Sequence, residues 1–165
     1  LAAAVRDVRE GAVRLVVTRG RGPRGYAPPA LARPTIVAYC YAQAPGTVPA
    51  GPLRVRFCQT PVATSPALGG LKTLNRLEQV LARGEWRDPS IGEGLMCDRA
   101  GSFVCGTASN LFVVCNGQLI TPPVDAAGVR GIMRGVVLEA AAAAGIPATE
   151  RPVDTALLAA AEEVF

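Results

Sequence analysis

The sequence predicts an α+β fold, with strands in mixed order and few helices. Two observations support this class. Half of the 165 residues are apolar, which suffices for one well-packed domain, or for one domain and a piece of another. Apolar residues also change between strand-like and helix-like spacing along the chain, and no internal repeat is evident. We therefore expect globular material rather than a repeat array.

Residues 1–43 are expected to form the end of a small α+β domain. Helical spacing over 1–10 precedes a buried strand at Val13–Thr18, and β-branched and aromatic residues predict a second strand over Thr35–Tyr41. A loop rich in Gly, Arg and Pro separates the two strands. Residues 44–52 contain three Pro and two Gly, a composition that predicts an interdomain linker.

Residues 53–165 are expected to form a larger second domain. The strand over 53–58 alternates apolar and polar residues and should be half-buried. Turn residues predict two hairpins, the second across Asn116-Gly117. The other predicted strands cover 94–98, 102–105, 110–115 and 118–121, and a last one begins at 163. The predicted helices cover 71–83, 131–144 and 153–161.

The composition excludes several kinds of catalytic site. The chain has no histidine, which removes Ser-His-Asp catalysis, Cys-His catalysis and His-ligated metal sites within it. The cysteines are odd in number and lack the clustered spacing of a zinc site, so we expect no metal and a reducing, cytoplasmic setting. They are Cys40, Cys58, Cys97, Cys105 and Cys115.

Neither a membrane nor a nucleic acid is an expected partner. The longest apolar stretches, such as Val136–Ala144, contain a charge and fall short of the ~20 residues that span a bilayer. The N-terminus lacks the pattern of a signal peptide. The net charge of +4 is spread without a block of arginines or an aromatic platform, which disfavours nucleic-acid binding.

Lys72 is the only lysine among 17 basic residues. Lysine forms Schiff bases and can be deprotonated, whereas arginine does neither. Lys72 follows Gly69-Gly70-Leu71, where apolar Leu71 and Leu74 and the nearby Arg76 would favour the neutral amine. The alternative is an exposed lysine in the first turn of a helix, and spacing alone favours that alternative.

Two further segments could bind anions. Gly128–Arg134 places glycines at the start of a helix, where unpaired N–H groups and the helix dipole attract phosphate. Arg24 and Tyr26, with Arg19 and Arg21 nearby, could bind a carboxylate through guanidinium and phenol hydrogen bonds. The alternatives are an ordinary helix start and a surface hairpin, both of which are common without a ligand.

Three strings of residues that follow one another along the chain favour ligand binding over these alternatives. They are Gly70-Leu-Lys-Thr-Leu-Asn-Arg-Leu-Glu-Gln-Val80, Gly106-Thr-Ala-Ser-Asn-Leu-Phe112 and Ala127-Gly-Val-Arg-Gly-Ile-Met-Arg134. They resemble the successive signatures of fold-type IV pyridoxal-phosphate enzymes. That superfamily holds branched-chain aminotransferases, D-amino acid aminotransferases and 4-amino-4-deoxychorismate lyases, and the first string is most similar to the lyases.

The resemblance implies a cofactor, pyridoxal 5'-phosphate, and a role for individual residues. Lys72 would carry the cofactor as a Schiff base and then act as the proton-transfer base. The backbone at Gly131, Ile132 and Met133 would hold the phosphate. The substrate carboxylates would be oriented by Arg24, Tyr26 and Arg76. The cofactor edge would be lined by Cys105, Thr107, Ala108, Ser109 and Asn110.

The chain departs from the family pattern in two ways. The family has a glutamate that pairs with the pyridine nitrogen, and Cys105 stands in its place. A neutral thiol makes the ring a weaker electron sink, which favours an aromatising elimination over transamination. Most of the family's small N-terminal domain would precede Leu1, and its final strands would follow Phe165.

The implied activity is conversion of 4-amino-4-deoxychorismate to 4-aminobenzoate and pyruvate in folate biosynthesis. It would be carried out by a cytoplasmic homodimer. Two alternatives remain open. One is a D-amino acid or branched-chain aminotransferase on the same fold, and the other is a non-catalytic fragment that acts as an interaction module.

Overall fold

The computed structural model describes residues 11–42 and 51–165. The chain divides into two compact units, Leu1–Gly51 and Pro52–Phe165. The predicted helix over 1–10 and most of the predicted linker over 44–52 lie outside the described residues. Among the helices that the structure describes, none is long and apolar enough to cross a membrane.

The first unit contains an antiparallel hairpin. Strand β1 (Gly11–Thr18) pairs along its whole length with β2 (Thr35–Ala42), so both predicted strands are confirmed. The expectation that the first strand is buried is wrong, because apolar residues such as Leu15 and Val17 are exposed. β-branched residues specify an extended backbone, but they do not specify what covers it.

A three-stranded sheet opens the second unit, in the order β3-β4-β5. Its strands are β3 (Arg54–Phe57), β4 (Ile91–Cys97) and β5 (Phe103–Gly106). β3 runs parallel to β4, and β4 runs antiparallel to β5. All three predicted strands are confirmed, although β4 begins three residues earlier than predicted. That extension brings Glu93 into the sheet.

The prediction of a half-buried apolar face on β3 is wrong. Phe57 is 53% exposed, and Val55 is exposed as well. The partly buried side chain is Arg56, whose guanidinium forms an ion pair with Glu85 at 3.2 Å. It also lies 5.9 Å from the centroid of the Trp86 ring. Alternation correctly predicted a strand here. The partly buried face carries Arg56 instead of the apolar residues, because the ion pair with Glu85 compensates the cost of burying its charge.

The second sheet has four strands, in the order β8-β7-β6-β9. They are β6 (Val113–Cys115), β7 (Gln118–Thr121), β8 (Ala148–Glu150) and β9 (Glu163–Val164). The Asn116-Gly117 turn joins β6 to β7, and both residues have the positive φ that such a turn needs. β6 is shorter than predicted. The short β8, which runs parallel to β7, had no signal in the sequence.

Three helices complete the described part of the second unit: α1 (Leu77–Arg83), α2 (Ile132–Ala143) and α3 (Thr155–Ala159). α2 confirms the helix predicted over 131–144. α3 is shorter than predicted, and Asp154 caps it by accepting a hydrogen bond from the backbone N–H of Leu157 at 2.7 Å.

The predicted helix over 71–83 begins six residues late, at Leu77. The Arg76 guanidinium takes up the carbonyls of the preceding segment, donating to Leu71 O at 2.7 Å and Thr73 O at 3.2 Å. A helix would use those carbonyls to accept its own backbone N–H groups. Lys72 therefore lies in a non-helical segment before α1, not in the first turn of a helix.

Among the described residues of the second unit, most of the buried apolar side chains lie in three clusters. One joins the two sheets through Leu95, Phe103, Leu111, Val113, Ile120 and Val153. A second packs α1 against β4 and β5 through Val62, Ala82, Met96, Val104 and Cys105. The third seats α2 on β6 and β7 through Phe112, Leu119 and Ala141. The mixture of helices and strands confirms the α+β prediction.

Candidate active site

A cavity of about 340 Å³ opens in the second unit. Three segments far apart in sequence form its walls, and they coincide with the three strings singled out in the sequence. The lining residues are Lys72, Arg76, Gln79, Cys105, Gly106, Thr107, Ala108, Ser109, Asn110, Gly128, Val129, Arg130, Gly131 and Ile132. A concave site with convergent polar groups is the usual form of a small-molecule site.

The segment that carries Lys72 is tied to the segment before α2. Gly70 forms a parallel β-bridge with Val129. The Gly70 N–H donates to Gly128 O at 3.2 Å, and the Arg130 N–H donates to Gly70 O at 2.9 Å. Gly70 has a φ of +76°, a conformation that a residue with a Cβ adopts only with strain. The bridge thus places the only lysine and the start of α2 on one cavity.

The expected shielding of Lys72 by apolar neighbours is wrong in the described structure. Leu71 and Leu74 are 55% and 59% exposed, and Lys72 is exposed as well. The non-helical path of this segment turns both leucines outward, whereas the prediction assumed a helix that buries them. Arg76, the other residue named for this effect, does line the same cavity.

The start of α2 is left open toward the cavity. Its N-cap residue is Gly131, no side chain caps the helix, and the first turn contains no acidic residue. Asn110 donates from Nδ2 to Val129 O at 2.8 Å, and a Cβ added at Gly131 would collide with Asn110 Oδ1. Ile132 lines the cavity, whereas the Met133 side chain is 68% exposed and does not. An uncapped helix start of this kind attracts anions.

Another wall is the segment from Gly106 to Ser109, and Glu93 of β4 supports it. Glu93 Oε1 accepts a hydrogen bond from Thr107 Oγ1 at 2.5 Å, and Oε2 accepts one from Ser109 Oγ at 3.0 Å. Sequence reasoning missed Glu93, although a carboxylate between Gly92 and Gly94 in an apolar strand was a signal. It also missed Arg130, which lines the cavity.

Cys105 is buried beneath this wall and faces the cavity. Burial raises the pKa of its thiol from 9.0 to about 11, and the negative charge of Glu93 adds to the increase. The positive charge of Arg76 acts in the opposite direction. The group at this position is therefore a neutral thiol at physiological pH.

Arg24 and Tyr26 lie in the first unit, in the loop between β1 and β2, and both are exposed. Tyr26 is among the exposed large side chains of the described residues. Their assignment to the substrate carboxylate stays a prediction from the sequence.

Comparison with known proteins identifies the family. The family model "Amino-transferase class IV" matches residues 1–165. A crystal structure of 4-amino-4-deoxychorismate lyase from Pseudomonas aeruginosa is similar, with a TM-score of 0.87 and 45% identity, covering 94% of this chain and 58% of that one.

Two curated relatives point to different reactions. A putative branched-chain-amino-acid aminotransferase from Methanocaldococcus jannaschii is 36% identical over 98% of this chain and 56% of its own length. An aminodeoxychorismate lyase from Vibrio harveyi is 29% identical over 84% of this chain and 52% of its own length. The chain thus spans about half the length of the curated relatives it matches. Together with the family match, these findings establish that the chain belongs to the class IV aminotransferase family, the fold-type IV enzymes.

Proposed function

We propose that this chain carries the cofactor site of a pyridoxal-phosphate-dependent 4-amino-4-deoxychorismate lyase. The observation that carries the proposal is the cavity in which the only lysine of the chain meets the uncapped start of α2. The 45% identity to the Pseudomonas aeruginosa lyase favours this member of the family. The proposal includes a cytoplasmic location and the homodimer expected for the family.

The residues present fit the cofactor, which is pyridoxal 5'-phosphate throughout the family. Lys72 Nζ is the amine that would bond to its aldehyde carbon. The backbone amides at Ile132 and Met133 would hold its phosphate, because α2 begins without a side-chain cap or an acidic residue that would compete. Thr107, Ala108, Ser109 and Asn110 would line its edge.

The bound cofactor withdraws electrons from the amine-bearing carbon of the substrate and so makes the hydrogen on that carbon acidic. The Lys72 amine would take that proton. The bond between the neighbouring ring carbon and the enol ether oxygen would then break. The electron pair left by the removed proton would form the third double bond of the aromatic ring of 4-aminobenzoate. The pair of the broken bond would leave with the oxygen as enolpyruvate, which gains a proton to become pyruvate.

The charge of the cavity favours an acidic substrate. Lys72, Arg76 and Arg130 line it, and its walls include no Asp or Glu among the described residues. Aminodeoxychorismate carries two carboxylates, which guanidinium groups bind with good geometry. Arg76 would orient one of them, and Arg24 and Tyr26 stay the residues proposed from the sequence for the other.

Cys105 favours the lyase over an aminotransferase on the same fold. A thiol with a pKa of about 11 cannot supply the negative charge that keeps a pyridine nitrogen protonated. Transamination depends heavily on that protonated ring, whereas loss of pyruvate has its own driving force in the new aromatic ring. We expect Cys105→Glu to leave lyase turnover nearly unchanged and to raise transaminase activity strongly. A large gain in lyase turnover would contradict this argument.

The first test is cofactor binding. Adding pyridoxal 5'-phosphate to the protein should produce the visible absorption band of a lysine-bound cofactor. Lys72→Arg is the matched control, because it keeps the positive charge but cannot form the covalent bond. If the wild type gives no band, the chain is instead the non-catalytic module considered from its sequence.

The second test is the reaction. Supplied with 4-amino-4-deoxychorismate, the loaded protein should release 4-aminobenzoate and pyruvate in equal amounts. Formation of glutamate from 2-oxoglutarate with leucine or D-alanine, without 4-aminobenzoate from aminodeoxychorismate, would refute the lyase assignment.

The second candidate is a branched-chain aminotransferase, favoured by the 36% identity to the Methanocaldococcus jannaschii protein over nearly the whole chain. Such an enzyme needs an apolar pocket for the substrate side chain. Val129 and Ile132 are the large apolar residues of the lining, and the other lining residues are polar or small. The assay with leucine separates this candidate directly from the lyase.

A further inference from the structure

A single carboxylate gathers the hydrogen-bond donors of one cavity wall. Glu93 Oε1 accepts hydrogen bonds from Gly94 N at 2.8 Å, Thr107 N at 3.1 Å and Thr107 Oγ1 at 2.5 Å. Oε2 accepts from Ala108 N at 3.2 Å and Ser109 Oγ at 3.0 Å. Four of these five bonds reach across from β4 to the segment Gly106–Ser109, which therefore curves around the carboxylate.

Gly106 permits this close approach. A Cβ added at Gly106 would lie 2.8 Å from Glu93 Oε2 and would also collide with Ser109 Oγ. The Thr107 N–H is shared with Gly94 O at 3.0 Å, and the Gly106 N–H donates to Ser109 O at 2.9 Å. The missing side chain at Gly106 thus leaves the space that the Glu93 carboxylate fills, and these hydrogen bonds hold the segment in a turn.

Glu93 keeps its charge in this position. Burial by itself would raise the pKa of its carboxyl, but hydrogen bonds from Thr107, Gly94, Ser109 and Ala108 outweigh burial and lower the pKa below 4.5. A charged acceptor makes hydrogen bonds roughly twice as strong as a neutral one. The strength of the wall therefore depends on ionised Glu93.

We propose that Glu93 is a positioning residue for the cofactor: its carboxylate fixes the Gly106–Ser109 segment, and that segment shapes the wall on which pyridoxal phosphate binds. The inference rests on the proposed function for the identity of the ligand. Glu93 acts through Thr107, Ala108 and Ser109 and does not itself line the cavity.

A matched control exists in the same unit. Glu85 also accepts hydrogen bonds from successive backbone N–H groups, at 2.9 Å from Gln59 and 2.8 Å from Thr60. These bonds and the charge of Arg56 lower its pKa against the opposing effect of burial. Glu85 does not line the cavity. Glu85→Gln therefore removes a comparable fold contact without touching the wall.

The experiment compares wild type, Glu93→Gln and Glu85→Gln in two measurements. In the cofactor-free protein, amide hydrogen exchange at Thr107 and Ala108 should be about tenfold faster or more in Glu93→Gln, because their acceptor loses its charge, and unchanged in Glu85→Gln. By absorption titration, Glu93→Gln should bind pyridoxal 5'-phosphate about tenfold more weakly or worse. Glu85→Gln should bind it like the wild type.

Each outcome has a definite meaning. If Glu93→Gln exchanges faster but binds the cofactor normally, or if exchange at the segment is unchanged, the positioning role is wrong while the proposed function stands. If both variants weaken binding equally, the effect is general destabilisation and the inference also fails. If the wild type does not bind the cofactor, the proposed function itself is wrong. Glu93→Asp, which keeps the charge but shortens the side chain, gives a second test should Glu93→Gln not fold, and it should speed exchange at Thr107 and Ala108 and weaken cofactor binding in the same direction.

Discussion

The neutral thiol at Cys105 can be tested through the pH dependence of its alkylation. Thiolates, not thiols, react with iodoacetamide. At pH 8 a cysteine with a pKa of 9.0 is about 10% thiolate, whereas one with a pKa of about 11 is about 0.1% thiolate. We therefore expect Cys105 to react about 100-fold more slowly than a peptide cysteine at this pH, before any further slowing by its burial.

The shape of the pH profile distinguishes slow alkylation caused by a raised pKa from slow alkylation caused by burial of the thiol. The alkylation rate of Cys105 should rise about tenfold per pH unit until near pH 11, whereas that of a peptide thiol should level off above 9. Tandem mass spectrometry can distinguish Cys105 from Cys115, which shares its tryptic peptide, and circular dichroism would verify that the fold survives. Since the Glu93 charge raises the pKa, Glu93→Gln should move the midpoint downward. A midpoint near 9 in the wild type would refute the reasoning.

Further predictions concern stability, measured as the free energy of unfolding in urea. Ile120→Ala should cost about 2–5 kcal/mol, because it opens a cavity in the cluster between the sheets. Glu150→Ala should cost about 1–3 kcal/mol, since it deprives the buried Arg134 guanidinium of its ion-pair partner at 2.7 Å. Asp154→Ala removes the cap of α3 and should cost about 1 kcal/mol. Folding lowers the pKa of the Glu93 carboxyl below 4.5. The ionised carboxylate therefore stabilises the fold above pH 4.5, and this stabilisation is lost as the pH falls through the lowered pKa. The difference in unfolding free energy between the wild type and Glu93→Gln should shrink accordingly in acid.

Local patterns predicted much of the fold. The hairpin at Asn116-Gly117, the strand pair β4–β5 and the long helix α2 all follow from short-range signals: turn residues, alternation and helical spacing. The start of α1 was not predicted correctly, because the Arg76 guanidinium donates to backbone carbonyls that a helix over 71–83 would use for its own hydrogen bonds. The buried face of β3 was likewise decided by the ion pair with Glu85, a partner that lies outside the strand.

The candidate site was predicted in its components but not in its arrangement. The three strings of residues were identified from the sequence, yet the Gly70–Val129 bridge that joins two of them is a long-range backbone contact without a sequence signature. Glu93 was missed because the strand predicted from the sequence began at Gly94, which left Glu93 outside it. Its importance becomes apparent only when the Gly106–Ser109 segment folds onto it.

The Gly70–Val129 bridge also bears on how such a site can change its chemistry. It joins the lysine-bearing segment to the start of α2. Under the proposed function these two segments bind the aldehyde and the phosphate of one cofactor, so the bridge holds its two attachment points at a fixed distance. Their spacing is dictated by the length of the cofactor, which is the same for every reaction in the family. Substitutions on the other walls of the cavity can then change the reaction. The thiol at Cys105, for example, changes how strongly the cofactor ring withdraws electrons and leaves the two attachment points unchanged.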